Sequence, residues 1–458
     1  MSKLYKKLFR SEYSEKLGTK VGILRETAKK YDMHANKRNL YSKLFDSLTK
    51  KDKKGILDAS GSVIPAYSTG IAPLTYANGY IVEPMTKYNK DAVPWVNAGI
   101  QAGGFCTIIG GTNSGKTALT IKMAGNIVRP YEFSEVYHND AEETSNIMRI
   151  KALTGWSQEE LDEKYHMFQC VYVEDLFSMI MTMAQEKMED KTYLYDTGLL
   201  DIHGAHIVIP QPTAVIIDAL PSLQTKDVED SIELGSQTYN MRLAIAYNTF
   251  YKRLRPVLTR ANITVFAVNH IKEKPQMGFT MTPAKVQYMK PNESIPGGTG
   301  PLYYSQILMR LIYRGKLTEE KNGFEGFMSS VEILKSKANR SGRLIDLVFT
   351  YDHGFDEQLT LLHMAKSLKL IAGRNPNSYF INSPDLKFNT KDFIEENMPV
   401  PVRNALLAEL KPYFNRMIQN NKIENRTSIS GDEMADLLNS SYDNIKDVDI
   451  EQELEAVL

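Results

Sequence analysis

The sequence predicts an α/β fold built on a mostly parallel central sheet, and three observations predict it. Short apolar runs alternate with helical spacings through the middle of the chain. One run, Phe105 to Ile109, leads into the glycine-rich segment GGTNSGKT at 110–117 and then into a helical pattern from Lys116 to Val128. Polar residues, Asp140, Glu142, Asp218, Asn269 and His270, fall directly after apolar runs, the position at which open α/β sheets gather their ligands.

The elements follow in order. Residues 1–54 hold 16 Lys/Arg against 6 Asp/Glu and read as short amphipathic helices, Lys3 to Phe9 and Tyr41 to Leu48. A basic helical arm is therefore expected over 1–64, against a neighbouring subunit or nucleic acid, with a merely solvated end as the plainer reading. Gly61, Pro65, Gly70, Pro73, Gly79, Pro84 and Pro94 punctuate the next stretch and argue for turns and short strands. Val136 to His138, Ala214 to Ile217, Thr264 to Val268, Ile307 to Tyr313 and Val331 to Leu334 read as strands, and Thr238 to Leu258 as a helix. The core is expected over 65–358. A mostly helical region, opening with a helix at Leu359 to Leu370, is expected over 359–427. An acidic tail with 9 Asp/Glu and one Lys fills 428–458.

Composition bounds the class. With 458 residues, 42% hydrophobic and 24% charged, the chain reads as an ordinary globular protein with one large core and appendages. Its formal net charge is zero, so the average favours no polyanionic partner. Cys106 and Cys170 lack ligand-like neighbours, which argues against a disulfide framework or zinc site and for a reducing compartment. The N-terminus carries no apolar run of the signal-peptide kind, and no window approaches a membrane span. A cytoplasmic location and no membrane partner are the expectation.

Gly110, Gly115, Lys116 and Thr117 satisfy G-x-x-x-x-G-K-[ST]. Glycines let backbone N–H groups turn inward around phosphates, and the helix that follows presents its positive end. Gly110, Gly111, Thr112, Asn113, Ser114, Gly115, Lys116, Thr117 and Ala118 are thus the candidate ATP-binding residues, with Lys116 on the outer phosphates and Thr117 on Mg²⁺. Asp218 closes the run AVIID and is the candidate magnesium carboxylate, through water; alone it would be a strand terminator. Glu142 is placed to orient or deprotonate the attacking water, whereas Glu143 reads as solvated. His270 is a candidate phosphate sensor, although a lone histidine is more often a satisfied polar residue. The long segment 272–302 mixes Lys272, Lys274, Lys285 and Lys290 with Phe279 and Tyr288 and carries Gly297-Gly298. Cations track a nucleic-acid backbone and aromatics stack on bases, while an unstructured surface loop is the rival reading. Lys335 and Lys337, in ILKSK, are assigned to no site by spacing and otherwise read as an exposed strand edge.

The order of these motifs resembles the RecA-family recombinases, most closely the UvsX-like recombinases of T4-type phages. The resemblance covers roughly residues 65–370. It runs through GGTNSGKT, the acidic turn at Asp140 to Glu142, AVIIDALPSL at 214–223, VFAVNH at 265–270, GGTGPLYYS at 297–305 and the K-S-K at 335–337. It implies a RecA-like ATPase core with ATP and Mg²⁺ held by Lys116, Thr117 and Asp218, and with Glu142 as catalytic base. It further implies that His270 links the γ-phosphate to a second DNA-binding loop, Lys272 to Leu302, the first being Gln224 to Thr238. Lys335 and Lys337 would reach into the ATP site of the next subunit. The implied activity is DNA-dependent ATP hydrolysis by a helical filament on single-stranded DNA that pairs it with duplex DNA. Single-strand-binding and loading proteins would be further partners, and the cytoplasm of a host cell the location if the chain is phage-encoded. Two features depart from the family: Ala219 stands where a hydroxyl residue is usual, and no aromatic follows Glu142 to stack on adenine, since 146–150 offers only Met148 and Arg149. Extra length lies in the N-terminal arm and in 190–212. The rival readings are a hexameric helicase on the same core fold and an ATP-gated assembly module that does no work on DNA.

Overall fold

The computed structural model describes residues 63–85, 89–226, 237–273, 289–394 and 398–418. Nearly all of the expected basic arm and the whole acidic tail lie outside them, as do Lys274, Phe279, Lys285 and Tyr288 and residues 227–236 of the first expected DNA loop.

The chain is a mixed α/β protein around a nine-stranded sheet. Its strands are β1 Gly104–Gly110, β2 Val136–Asp140, β3 Tyr165–Phe168, β4 Thr213–Asp218, β5 Ile263–His270, β6 Ile307–Leu317, β7 Gly326–Ser336, β8 Leu344–Thr350 and β9 Gly354–Asp356. They lie in the order β9-β8-β7-β6-β1-β5-β4-β2-β3. Pairing is parallel from β6 through β3 and antiparallel from β6 through β9. The sheet is therefore mixed: parallel over six strands, as expected, with an antiparallel extension from β6 to β9. A parallel return needs a crossover of about a dozen residues or more, and the link between β6 and β7 holds only the four-residue helix Glu319–Asn322.

Side chains alternate across the parallel half, as a sheet covered on both faces requires. Cys106, Ile108, Ile216 and Phe266 pack with Leu119, Met123 and Ile127 of helix α1 (Lys116–Val128) and with α2 (Ile147–Thr154) and α3 (Gln158–Lys164). Phe105, Val215, Ile217 and Val265 face the other way, against α4 (Val173–Glu189) and α5 (Gln237–Ala261). All seven residues of β1 and all six of β4 are buried. This rigid centre fixes the strand ends from which the candidate side chains project.

The first helix of the expected C-terminal region packs on the sheet. Leu359, Leu362 and Ala365 of α6 (Glu357–Ser367) share a core with Val348 of the sheet and with Leu406, Leu410 and Phe414 of α7 (Val400–Met417). The expected C-terminal region carries strands as well as helices. Between α6 and α7 lies a three-stranded antiparallel sheet, Ile371–Ala372, Ser378–Phe380 and Ser383–Phe388. The predicted helix at 359–370 ends at Ser367, because Lys369 takes a left-handed backbone, φ 58°. The extra length at 190–212 forms an antiparallel hairpin, Leu194–Leu200 with His206–Pro210. No helix among the described residues is long and apolar enough to cross a membrane.

Lys187, near the end of α4, is 4% exposed, and its Nζ donates to Gln211 O and Thr213 Oγ1, both at 2.6 Å. Burial pushes its pKa down from 10.5 to about 7. The unfolded chain then binds the extra proton between pH 7 and 10.5, so stability rises with pH across that window, by at most roughly 1.4 kcal/mol per unit. Unfolding midpoints measured from pH 7 to 10 should climb in the wild-type protein, and Lys187→Met should flatten that slope.

Candidate functional site

The carboxyl ends of β1, β2, β4 and β5 converge at one edge of the sheet. Gly110 is level with His270 across the β1–β5 pair, and Asp218 is level with Asp140 across β4–β2. The polar residues that ended apolar runs in the sequence thus become neighbours. Each run is a largely buried parallel strand.

The loop 110–115 leaves β1 and starts α1. Gly115 sits at φ 92°, and a Cβ there would meet the Phe355 ring at 2.8 Å, so both conformation and space demand glycine. Gly111 faces open space, and Thr112 and Asn113 are exposed. Ser114 is buried, its Oγ donating to Gly111 O at 2.9 Å. Ala118 is buried on the inner side of α1. Lys116 Nζ arches back to donate to Gly111 O at 2.7 Å. Burial lowers its pKa, while Asp218 and Glu142 oppose the fall. An amine desolvated in this way gains most from an anionic ligand.

Thr117 Oγ1 donates to Asp218 Oδ2 at 2.7 Å. Burial pushes the Asp218 carboxyl up to about 6; Thr117 and Lys116 work against the rise, and the carboxylates of Glu142 and Asp140 add to it. A buried carboxylate crowded by two others favours a cation beside it. Thr117 and Asp218 supply the hard oxygen donors that magnesium takes, in the usual arrangement of one or two protein ligands completed by phosphates and water. Among the described residues, no group of three or more His, Cys, Asp or Glu forms a metal cage.

Asp140, which sequence position alone left without a role, holds the next turn. Its Oδ1 accepts from Thr144 N at 3.2 Å and its Oδ2 from Ser145 N at 2.7 Å. That turn carries Glu142, whose N–H donates to Asp218 O at 3.3 Å. Glu142 Oε1 lies 3.2 Å from His270 Nε2. Lys116, Thr117, Asp218, Glu142 and His270 are therefore one constellation, contributed by four strands.

The remaining candidates fall elsewhere. Lys335 is half-buried, and its Nζ donates to Leu302 O and Tyr303 O, each at 2.7 Å. Burial, with repulsion from Lys337 and Arg255, lowers its pKa to about 8. It lies opposite Leu308, three positions before Leu311, which is level with Gly110; that is about 10 Å below the loop. Lys337 donates its N–H to Gln306 O, two residues further from the loop. Lys272 is exposed at the root of the long segment, and Lys290 is exposed near its return. Gly297 and Gly298, at φ 91° and 71°, press on Tyr247 and Ala244 of α5; a Cβ would stand 3.1 Å from each. Their first requirement is close packing.

Spacing also missed an aromatic platform. Arg149 Nη1 donates to Tyr351 O at 2.5 Å, and its guanidinium lies 5.6 Å from the Phe349 ring centroid. Phe349 stacks on Phe327, and Phe327 and Phe355 flank Gly115. Tyr313 and Tyr351 are 51% and 48% exposed at its rim, a surface able to hold a flat base beside the loop. Its strands, β6 to β9, are brought together by antiparallel pairing, and the sequence itself offers only the apolar run LVF at 347–349 shortly before Tyr351. No protein-family model matches this chain, and no curated protein matches it either.

Proposed function

We propose that the chain is a RecA-like, DNA-dependent ATPase that polymerises on single-stranded DNA and promotes homologous pairing and strand exchange in recombination and repair. One observation carries the reading: the Glu142–His270 contact at 3.2 Å. Glu142 stands among the groups that would face the γ-phosphate, and His270 is the last residue of β5, two before Lys272 at the root of the 272–302 segment. A hydrolytic centre that touches the root of a basic segment has a direct route by which DNA and nucleotide sense each other.

In this reading Lys116 and the inward-facing N–H groups of 110–117 hold the phosphates, and Thr117 and Asp218 hold Mg²⁺, Asp218 through water. Bound magnesium would neutralise charge on the phosphate oxygens. Glu142 orients the attacking water and accepts its proton. Arg149 and Tyr351 offer the adenine a surface in place of the stacking aromatic that is missing after Glu142. Lys335 and Lys337 act on the nucleotide of the adjacent subunit, a role supported by their distance from the loop of their own chain. DNA contacts fall to Lys272, Lys290 and the 297–298 turn, together with Lys274, Lys285 and Phe279 from outside the described residues.

Electron microscopy with single-stranded DNA and a slowly hydrolysed ATP analogue tests the assembly. Helical filaments are expected. Closed rings would favour the helicase, and ATP-driven assemblies that retain no DNA would favour the assembly module; either would overturn the proposal.

A further inference from the structure

The return limb of the 272–302 segment is fastened to the sheet by a buried charge that no motif predicts. Arg310, on β6, is level with Ile109, one residue short of the nucleotide loop. Its guanidinium bonds Glu293 from the limb and stands 3.3 Å from Glu332 on β7. Arg310 and Glu293 are 7% and 8% exposed, and Glu293 Oε2 also accepts from Lys290 N at 2.9 Å. Around them Met289, Ile295 and Leu302 of the limb pack on Ile109, Leu308 and Leu334 of the sheet.

In such a setting a buried ion group adds little net stability over apolar side chains of similar size, because desolvating the charges offsets their attraction. What it supplies is register. An apolar limb could slide on an apolar face; a carboxylate that must meet one guanidinium could not. The register reaches the site in two short steps. Glu293 and Ser294 pair with Glu273 and Lys272. Pro296 O accepts from Asn269 Nδ2 at 2.9 Å, and Asn269 Oδ1 accepts from His270 N at 2.8 Å.

We propose that Glu293 and Arg310 are a positioning pair that holds this limb level with the nucleotide loop, so that nucleic acid held at Lys290 and the 297–298 turn acts on His270 through Asn269. The inference rests on the DNA-dependent reading above. Neither residue touches nucleotide in this account.

Glu293→Gln and Glu332→Gln each remove one carboxylate from the same guanidinium, but only the first loosens the limb. ATP hydrolysis is measured with and without single-stranded DNA. Glu293→Gln should lose about tenfold in DNA-stimulated turnover, the size of a typical coupling between sites. Its DNA-free rate and its KM for ATP should stay near wild type. Glu332→Gln should keep full stimulation, and Glu293→Asp, which retains the charge, should recover much of it. Full stimulation in Glu293→Gln, or equal loss in both Gln variants, would overturn the pair's role. Absence of stimulation in the wild-type protein would instead overturn the DNA-dependent reading, and this role with it. Hydrogen exchange in the wild-type protein removes any dependence on variant folding. On adding DNA to the ATP-bound protein, the amides of 289–296 and of His270 should change protection together, and a change in only one of them contradicts the proposal.

Discussion

Lys116→Ala should lower ATP turnover by at least about a hundredfold, the usual effect of deleting a positioned charge at a phosphoryl or oxyanion site. The structure says why the loss should fall on activity and spare the fold. Lys116 Nζ donates to a loop carbonyl, Gly111 O, and to no core element of the sheet. Its pKa is already lowered by burial, so the unliganded protein gains little from keeping the charge there. Thermal unfolding of the variant should stay close to wild type, or rise, while hydrolysis measured by phosphate release collapses. Full hydrolysis in that variant would remove the loop at 110–117 from the account.

The second large effect is expected at a distance. Replacing Lys335 and Lys337 together by Ala should abolish hydrolysis to a similar degree, yet leave nucleotide binding by the single chain intact. Within one chain the two lysines lie on the far side of β6 from the loop, Lys335 turned toward Leu302 O and Tyr303 O. Lys335 lies about 10 Å below the loop of its own chain, so neither lysine is expected to support phosphate binding there. A phosphate arriving from another subunit would favour the protonated form of Lys335, which burial and the neighbouring Lys337 and Arg255 now disfavour. Titration with a fluorescent ATP analogue, beside the hydrolysis assay, separates the two effects. A matching loss of binding would place the lysines in their own chain's site.

Much of this site was legible in the sequence because its parts are either contiguous or end a strand. Gly110 to Thr117 is one segment, and Asp218 and His270 each close a buried run whose direction the parallel sheet fixes. Glu142 could be named because it lies in the turn two residues beyond β2, but the anchoring of that turn by Asp140 could not, because its carboxylate accepts from backbone N–H groups four and five residues on. The antiparallel extension was only partly legible. The run Val331 to Leu334 looks like a further member of the parallel series, and only the brevity of the link before it shows that the strand turns back. Arg149 with Tyr351, and Arg310 with Glu293 and Glu332, meet through sheet register and loop return, for which local spacing carries no signal.

In the proposed filament a working site would be divided between two subunits. The direct measurement is hydrolysis by an equimolar mixture of Lys116→Ala protein and Lys335→Ala/Lys337→Ala protein on single-stranded DNA. Each should be inactive alone, but one retains the lysines and the other retains the loop. Random assortment would place an intact loop against intact lysines at roughly a quarter of the interfaces. Hydrolysis is expected to return to a comparable fraction of the wild-type rate on mixing; a mixture as inactive as its components would contradict a divided site.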